Sequence, residues 1–151
     1  MYLITTEEAN SLVEKWETGQ MDKETWTHEM HLIMGHAMIV RFGRNALPAM
    51  RERILRHNEA VGIINSDSTG YHETLTVYWL WLIRNFMLDK NLTAFDEVTI
   101  DELVFEESLA KRNDWLKFYK EETIKSVAAR RGFVAPECGE MVGVDWFLER
   151  G

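Results

Sequence analysis

The sequence has few of the residues that cross-link or interrupt a chain. Cys138 is the only cysteine, which excludes an intramolecular disulfide, and 2 prolines and 9 glycines are spread over 151 residues. A chain of this length can bury roughly two thirds of its unfolded surface in one core, without support from a disulfide or a metal. We therefore expect one domain, in which any metal would serve function rather than folding.

Positive charge is also scarce. Lys and Arg number 17 against 25 Asp and Glu, so the formal net charge is -8. The densest basic stretch is Ala128-Ala129-Arg130-Arg131, which is too sparse to offset the repulsion of a phosphate backbone. We therefore expect no nucleic-acid partner.

Long apolar runs are missing as well. The most apolar stretch, Leu75 to Ile83, is far shorter than the roughly 20 residues needed to cross a bilayer. The first residues, Met1 to Thr5, have neither the basic start nor the apolar centre of a signal peptide. We expect a soluble, cytoplasmic protein without a membrane partner.

The patterns that are present are helical. Apolar residues recur every three to four positions, and no alternating run favours a strand. We predict a single all-α domain over residues 1–151, a bundle of about six helices with an apolar central helix near residues 71–88 and an irregular tail from about 133 to 151. The predicted helices cover about 6–18, 27–42, 46–61 and 71–88, followed by shorter pieces near 99–109, 115–119 and 121–131.

Capping residues locate the helix starts. Thr5-x-x-Glu8 and Thr99-x-x-Glu102 have the spacing of a capping box, in which side chains and backbone N–H groups bond reciprocally. Asn45 is the predicted cap of the third helix. The fourth helix is expected to be capped by one of Asp67, Ser68 and Thr69.

Histidines gather where two helices begin. Short connections make successive helices antiparallel, so the second and fourth helices should start at the same end. His28 and His31 are three residues apart and can project from one side of the second helix, while His72 is predicted to face inward from the fourth. A helix start favours neutral imidazole, the form that binds metals. We predict a divalent-metal site on these three histidines, with zinc first and iron or copper as alternatives.

Glu73 and Tyr71 flank His72 in the sequence. Because adjacent helical residues point about 100° apart, Glu73 should act as a general acid or base rather than as a ligand, with Tyr71 as a proton donor. Supporting or substrate-contacting roles are predicted for His57, Asn58 and Glu29. Structural interpretations stay open: Glu73 also suits a helix N-terminus, and His57 suits a hydrogen-bonded core.

Three segments carry a family resemblance. They are Trp26 to Leu32 (WTHEMHL), Gly70 to Thr76 (GYHETLT) and Arg131 to Pro136 (RGFVAP), together with Asn58 followed by Gly62. In these segments the chain resembles a family of short, functionally uncharacterised bacterial proteins. The likeness spans about residues 20 to 136, and it implies no activity.

Two functions compete on these observations. The first is a metal-dependent enzyme that acts on a small polar or anionic molecule by hydrolysis or hydration, or by iron or copper oxygen chemistry. The second is a metal-free module in which histidine and glutamate side chains, in a pocket between the second and fourth helices, hydrogen-bond an anionic metabolite. An exposed apolar surface near Trp146 and Phe147 could support a homodimer.

Overall fold

The computed structural model describes residues 2–148 of the chain. Within that range eight α-helices and four 3-10 turns follow one another, and no strand occurs. The α-helices are α1 (Thr6–Glu17), α2 (His28–Phe42), α3 (Ala46–Ala60), α4 (Glu73–Lys90), α5 (Glu97–Phe105), α6 (Glu107–Ala110), α7 (Glu121–Ile124) and α8 (Val127–Arg131). The all-α prediction is confirmed. Within residues 2–148 no helix is both long and apolar enough to cross a membrane.

Helices α2 and α4 form the centre of the bundle. Every residue of α2 from Leu32 to Ile39 is buried, and α4 is buried on several sides, including Val77, Tyr78, Leu80 and Ile83. A helix that is apolar all round must be enclosed by other elements, and here α3 packs against both. The antiparallel order brings the first turn of α2 beside the start of α4.

The predicted caps are confirmed at the first helix and wrong at the third, fourth and fifth. The Glu8 N–H donates to the Thr5 hydroxyl oxygen at 3.1 Å, and the Thr5 N–H donates to the Glu8 carboxylate at 3.3 Å. Asn45 makes no capping bond, because a 3-10 turn, Gly43–Asn45, leads directly from α2 into α3. Helix α5 begins earlier than predicted, because Asp96 accepts the Thr99 N–H at 2.9 Å.

The start of α4 also differs from the prediction. None of Asp67, Ser68 and Thr69 caps the helix: the N-cap is His72, and the first helical residue is Glu73. Asp67 instead forms an ion pair with Arg131. Gly70 follows in the left-handed region, with φ +79°.

The chain after α6 is more broken than predicted, which is why the helices exceed about six. The predicted piece at 115–119 is a 3-10 turn, Asp114–Lys117, and the piece at 121–131 is two helices separated at Ser126, which caps α8. The irregular tail packs against the body of the domain: Phe147 is buried, and the Trp146 ring centroid lies 3.8 Å from the Arg84 guanidinium carbon. The predicted apolar surface there is thus largely covered. Residues 149–151 of the predicted tail lie outside the described residues.

Candidate functional site

A pocket of about 440 Å³ opens between α2, α3 and α4, at the end where α2 and α4 begin. Most of its wall is apolar or aromatic. The polar wall residues are His28, His31, Asn58, His72, Thr76 and Arg112. The sequence analysis predicts a site where the second and fourth helices begin, and the pocket lies at that end of the bundle.

His28 and His31 line the pocket, and in the neutral form of each ring a backbone carbonyl decides which nitrogen carries the proton. A carbonyl oxygen can only accept, so the His28 Nε2–H donates to Leu109 at 2.7 Å, and the His31 Nδ1–H donates to Thr27 at 2.7 Å. These bonds fix complementary tautomers. Nδ1 of His28 and Nε2 of His31 have no hydrogen-bond partner within residues 2–148 and remain as acceptors.

Two tryptophans hold the histidine rings in place. The Trp26 ring centroid lies 3.7 Å from that of His31 and 5.1 Å from that of His57, and the Trp79 centroid lies 4.8 Å from that of His28. His57 is fully buried behind Trp26. The structure thus brings His28, His31 and His57 to one end of the bundle.

The histidines beside Trp26 are neutral at pH 7. Burial lowers the pKa of His31 to about 4, an effect that the Thr27 carbonyl opposes and that nearby His28, His57 and Arg112 reinforce. Burial also lowers the pKa of His57. Neither ring nitrogen of His57 finds a hydrogen-bond partner in the described part of the chain, so its predicted hydrogen-bonded role is not met.

His72 lines the pocket, but both of its ring nitrogens are occupied. Nδ1 accepts the backbone N–H of Leu75 at 3.1 Å, and Nε2–H donates to the Ile124 carbonyl at 2.7 Å. Burial lowers the pKa of His72, so the ring is neutral. It has no lone pair left for a metal in this arrangement, which corrects its predicted role as a ligand.

The residues predicted for a metal site do not form one. Among residues 2–148 there is no group of three His, Cys, Asp or Glu side chains that could hold a metal ion. Of the three predicted ligands, only His28 and His31 keep an uncommitted nitrogen. A bound zinc, iron or copper ion stays a prediction.

Glu73 and Tyr71 are joined in an ion-pair network with Arg51, and of the two only Tyr71 lines the pocket. Arg51 donates to both Glu73 oxygens, at 3.0 and 2.6 Å, and the Tyr71 O–H donates to Glu73 at 2.5 Å. Glu73 is buried and lies outside the pocket wall. Burial, together with the Glu73 charge, raises the pKa of Tyr71, so the phenol keeps its proton. Neither predicted proton-transfer group is free for that task.

Of the two remaining residues predicted to contact a substrate, Asn58 lies in the pocket wall and Glu29 lies outside it. Asn58 lines the pocket and donates to the Asn65 side-chain oxygen at 2.9 Å, and the same oxygen accepts the Tyr71 N–H at 3.0 Å. This chain of bonds shapes the loop before α4. Glu29 is exposed and is not part of the pocket wall.

Sequence reasoning missed three wall residues. Trp79 lies within the apolar stretch from Leu75 to Ile83, where a tryptophan has the pattern of a core residue. Trp26 stands directly before the His28 segment, and that position was a usable signal. Arg112 has no such signal, because it enters the wall from the turn after α6, far along the chain.

No family model, curated protein or solved structure matches the chain. The resemblance to short bacterial proteins stays a prediction. The chemistry of the site therefore rests on its geometry.

Proposed function

We propose that the chain binds a small organic molecule in this pocket without a metal ion, using His28 and His31 as hydrogen-bond acceptors. The observation that carries the proposal is the pair of fixed tautomers, which leaves one unprotonated nitrogen on each ring. Two such acceptors in a largely apolar wall favour a ligand that carries N–H or O–H donors. We place this binding function in the cytoplasm.

The rest of the wall suits an apolar ligand body. The volume of about 440 Å³ lies within the usual range of roughly 300–1,000 Å³ for small-molecule sites. The indole rings of Trp26 and Trp79 offer flat surfaces against which a ring or an alkyl chain can pack. Contact with such surfaces contributes about 25 cal/mol per Å² of buried apolar area.

Gly35 supports a preformed pocket. It lines the wall from α2, and a Cβ placed there would lie 2.9 Å from Ile83 Cδ1 on α4. Helices α2 and α4 therefore pack closely at this point, and the absent side chain leaves room for both. A rigid floor reduces the ordering cost of binding.

The side-chain atoms available to coordinate a metal favour a metal-free binding protein over a metal-dependent enzyme. Catalytic zinc takes three protein ligands and a water, whereas His28 and His31 supply two nitrogens and His72 supplies none. The Glu73 carboxylate is held by Arg51 and Tyr71. These residues do not fit the predicted metal chemistry, and no reaction step follows from them.

Protein purified without a histidine tag tests the proposal by elemental analysis and a ligand-observed NMR screen of small fragments. We expect metal far below stoichiometric amounts and binding of apolar fragments with N–H or O–H donors. His28→Phe and His31→Phe should weaken that binding, while Glu29→Gln, exposed between them, should not. Stoichiometric metal that is lost in His28→Phe would contradict the proposal.

A further inference from the structure

Resting on this proposed function, we propose that the ligand is a small organic acid whose carboxylate pairs with Arg112. The acid would carry an N–H or O–H donor near that carboxylate, for His28 and His31. Its apolar body would lie against the helix wall of the pocket. The chemical class is thus a hydrophobic hydroxy acid or N-acylamino acid.

Arg112 is exposed at the pocket and has neither an ion pair nor a hydrogen bond within residues 2–148. Other arginines of this chain find protein partners: Arg41 and Arg53 pair with Glu17, and Arg131 pairs with Asp67. A guanidinium left unpaired at a pocket suits a carboxylate, whose two oxygens match its parallel N–H groups.

The charged side chains of the pocket wall also favour an organic acid as the ligand. Among the described residues that line the pocket, Arg112 is the only Arg or Lys, and there is no Asp or Glu. A cationic ligand would meet repulsion from Arg112 and no compensating carboxylate. An anion gains a contact there although the whole chain carries -8, because physiological salt largely screens exposed charges that are more than about 8 Å apart.

Capping bonds already engage one N–H at each of the two helix starts. The Leu75 N–H at the start of α4 already donates to His72, and the Met30 N–H in the first turn of α2 donates to the Thr27 hydroxyl at 3.3 Å. Among the described side chains of the wall, Arg112 is the one that offers an acid a positive charge.

The position of Arg112 also indicates where the ligand carries its N–H or O–H donor. Arg112, His28 and His31 line the same pocket, and Arg112 is close enough to His31 for its charge to lower the pKa of that ring. Because the three residues line one pocket, we expect the carboxylate and the donor to lie at the same end of the ligand. The apolar remainder would extend toward Leu75, Trp79 and Ile83 on α4.

Calorimetry with matched probes tests this class. The panel pairs aryl and alkyl hydroxy acids with their primary amides, beginning with 3-phenyllactate and 3-phenyllactamide, and adds 3-phenylpropionate, which lacks the hydroxyl. We expect the acids to bind about three- to tenfold more tightly than their amides, and 3-phenyllactate to bind more tightly than 3-phenylpropionate. Arg112→Gln should remove the preference for the acid. Lys111→Gln, an exposed neighbour with the same charge change that is not in the wall, should retain it.

The outcomes separate the two proposals. Amides that bind as tightly as acids, with binding still lost in His31→Phe, would overturn the acid class and leave the proposed function standing. An unchanged acid preference in Arg112→Gln would overturn the role of Arg112. The absence of binding by every acid and every amide in the panel would overturn both proposals.

Discussion

His72 caps α4 by accepting the backbone N–H of Leu75 on Nδ1, at a distance of 3.1 Å. The opposite ring nitrogen donates to the Ile124 carbonyl at the end of α7, 52 residues away in the sequence. One neutral side chain therefore satisfies two backbone groups and ties the start of the central helix to the late part of the chain. His72, which the sequence suggests as a metal ligand, thus has a structural role: it connects two segments of the chain by hydrogen bonds.

Replacing His72 should reduce stability and leave metal content unchanged. We expect His72→Ala to lower the free energy of unfolding by about 1–3 kcal/mol, because it removes the cap and leaves the Ile124 carbonyl without a partner. His72→Asn can still cap the helix, so it should cost less. Urea denaturation measures both variants. Unchanged stability of His72→Ala, together with loss of a bound metal, would show that this histidine is a ligand.

Glu73 should likewise prove structural. Glu73→Gln removes the charge that meets Arg51 at two points in a largely buried setting, and we expect a loss of about 1.5–3 kcal/mol. Glu52→Gln is the matched control, since Glu52 pairs with Arg56 at the surface, where such pairs contribute about 0–1 kcal/mol. Chemical denaturation of the two variants compares the losses. Equal losses would contradict the structural role of Glu73.

Stability should depend on pH through the buried histidines. Burial lowers the pKa of His31 and of His36 to about 4 in the folded state, against 6.5 when exposed. The unfolded chain then binds more protons than the folded chain between these values, so the free energy of unfolding is fully developed above pH 6.5 and falls as the pH is lowered toward 4. The slope is at most about 1.4 kcal/mol per pH unit for each histidine.

The free energy of unfolding should be measured by denaturation between pH 7 and 5. Carboxylates usually titrate near pH 4, below this interval, so they contribute little to the change. His31→Gln should flatten the dependence, because it removes one of the titrating rings. A free energy of unfolding that stays constant over this interval, or one that rises on acidification, would contradict neutral buried imidazoles.

Gly70 should tolerate no side chain. It adopts φ +79°, and a Cβ there would lie 2.5 Å from the Asn65 side-chain oxygen and 2.7 Å from the Ile64 carbonyl. Gly70→Ala should therefore cost more than Gly62→Ala, which has the same φ but open space around its Cβ and should show only the strain of about 1–2 kcal/mol. Thermal unfolding of both variants gives the comparison. Equal losses would mean that the loop before α4 adjusts freely.

Much of the fold could be predicted because its signals are local. The capping box of Thr5 and Glu8 and the apolar period of the central helices depend only on near neighbours in the chain. Antiparallel order then followed from short connections, and it placed His28, His31 and His72 at one end. The location of the pocket was therefore within reach of the sequence.

The roles of the site residues could not be predicted, because their partners are distant. Glu73 meets Arg51 from the preceding helix, and His72 meets the Ile124 carbonyl, a backbone group that no residue pattern marks. The proton of His28 is fixed by another carbonyl, that of Leu109. Such tertiary bonds decide which nitrogen stays free, and hence whether a histidine binds a metal, caps a helix or accepts from a ligand.

The most direct measurement is two-dimensional NMR of the histidine ring nitrogens during titration with a fragment that binds the pocket. The proposed function predicts that unprotonated Nδ1 of His28 and Nε2 of His31 shift as they accept hydrogen bonds. The nitrogens of His36, buried against Phe95 away from the pocket, should stay in place. Binding that leaves the His28 and His31 signals unchanged, or ring nitrogens that already show metal coordination before titration, would contradict the proposed function.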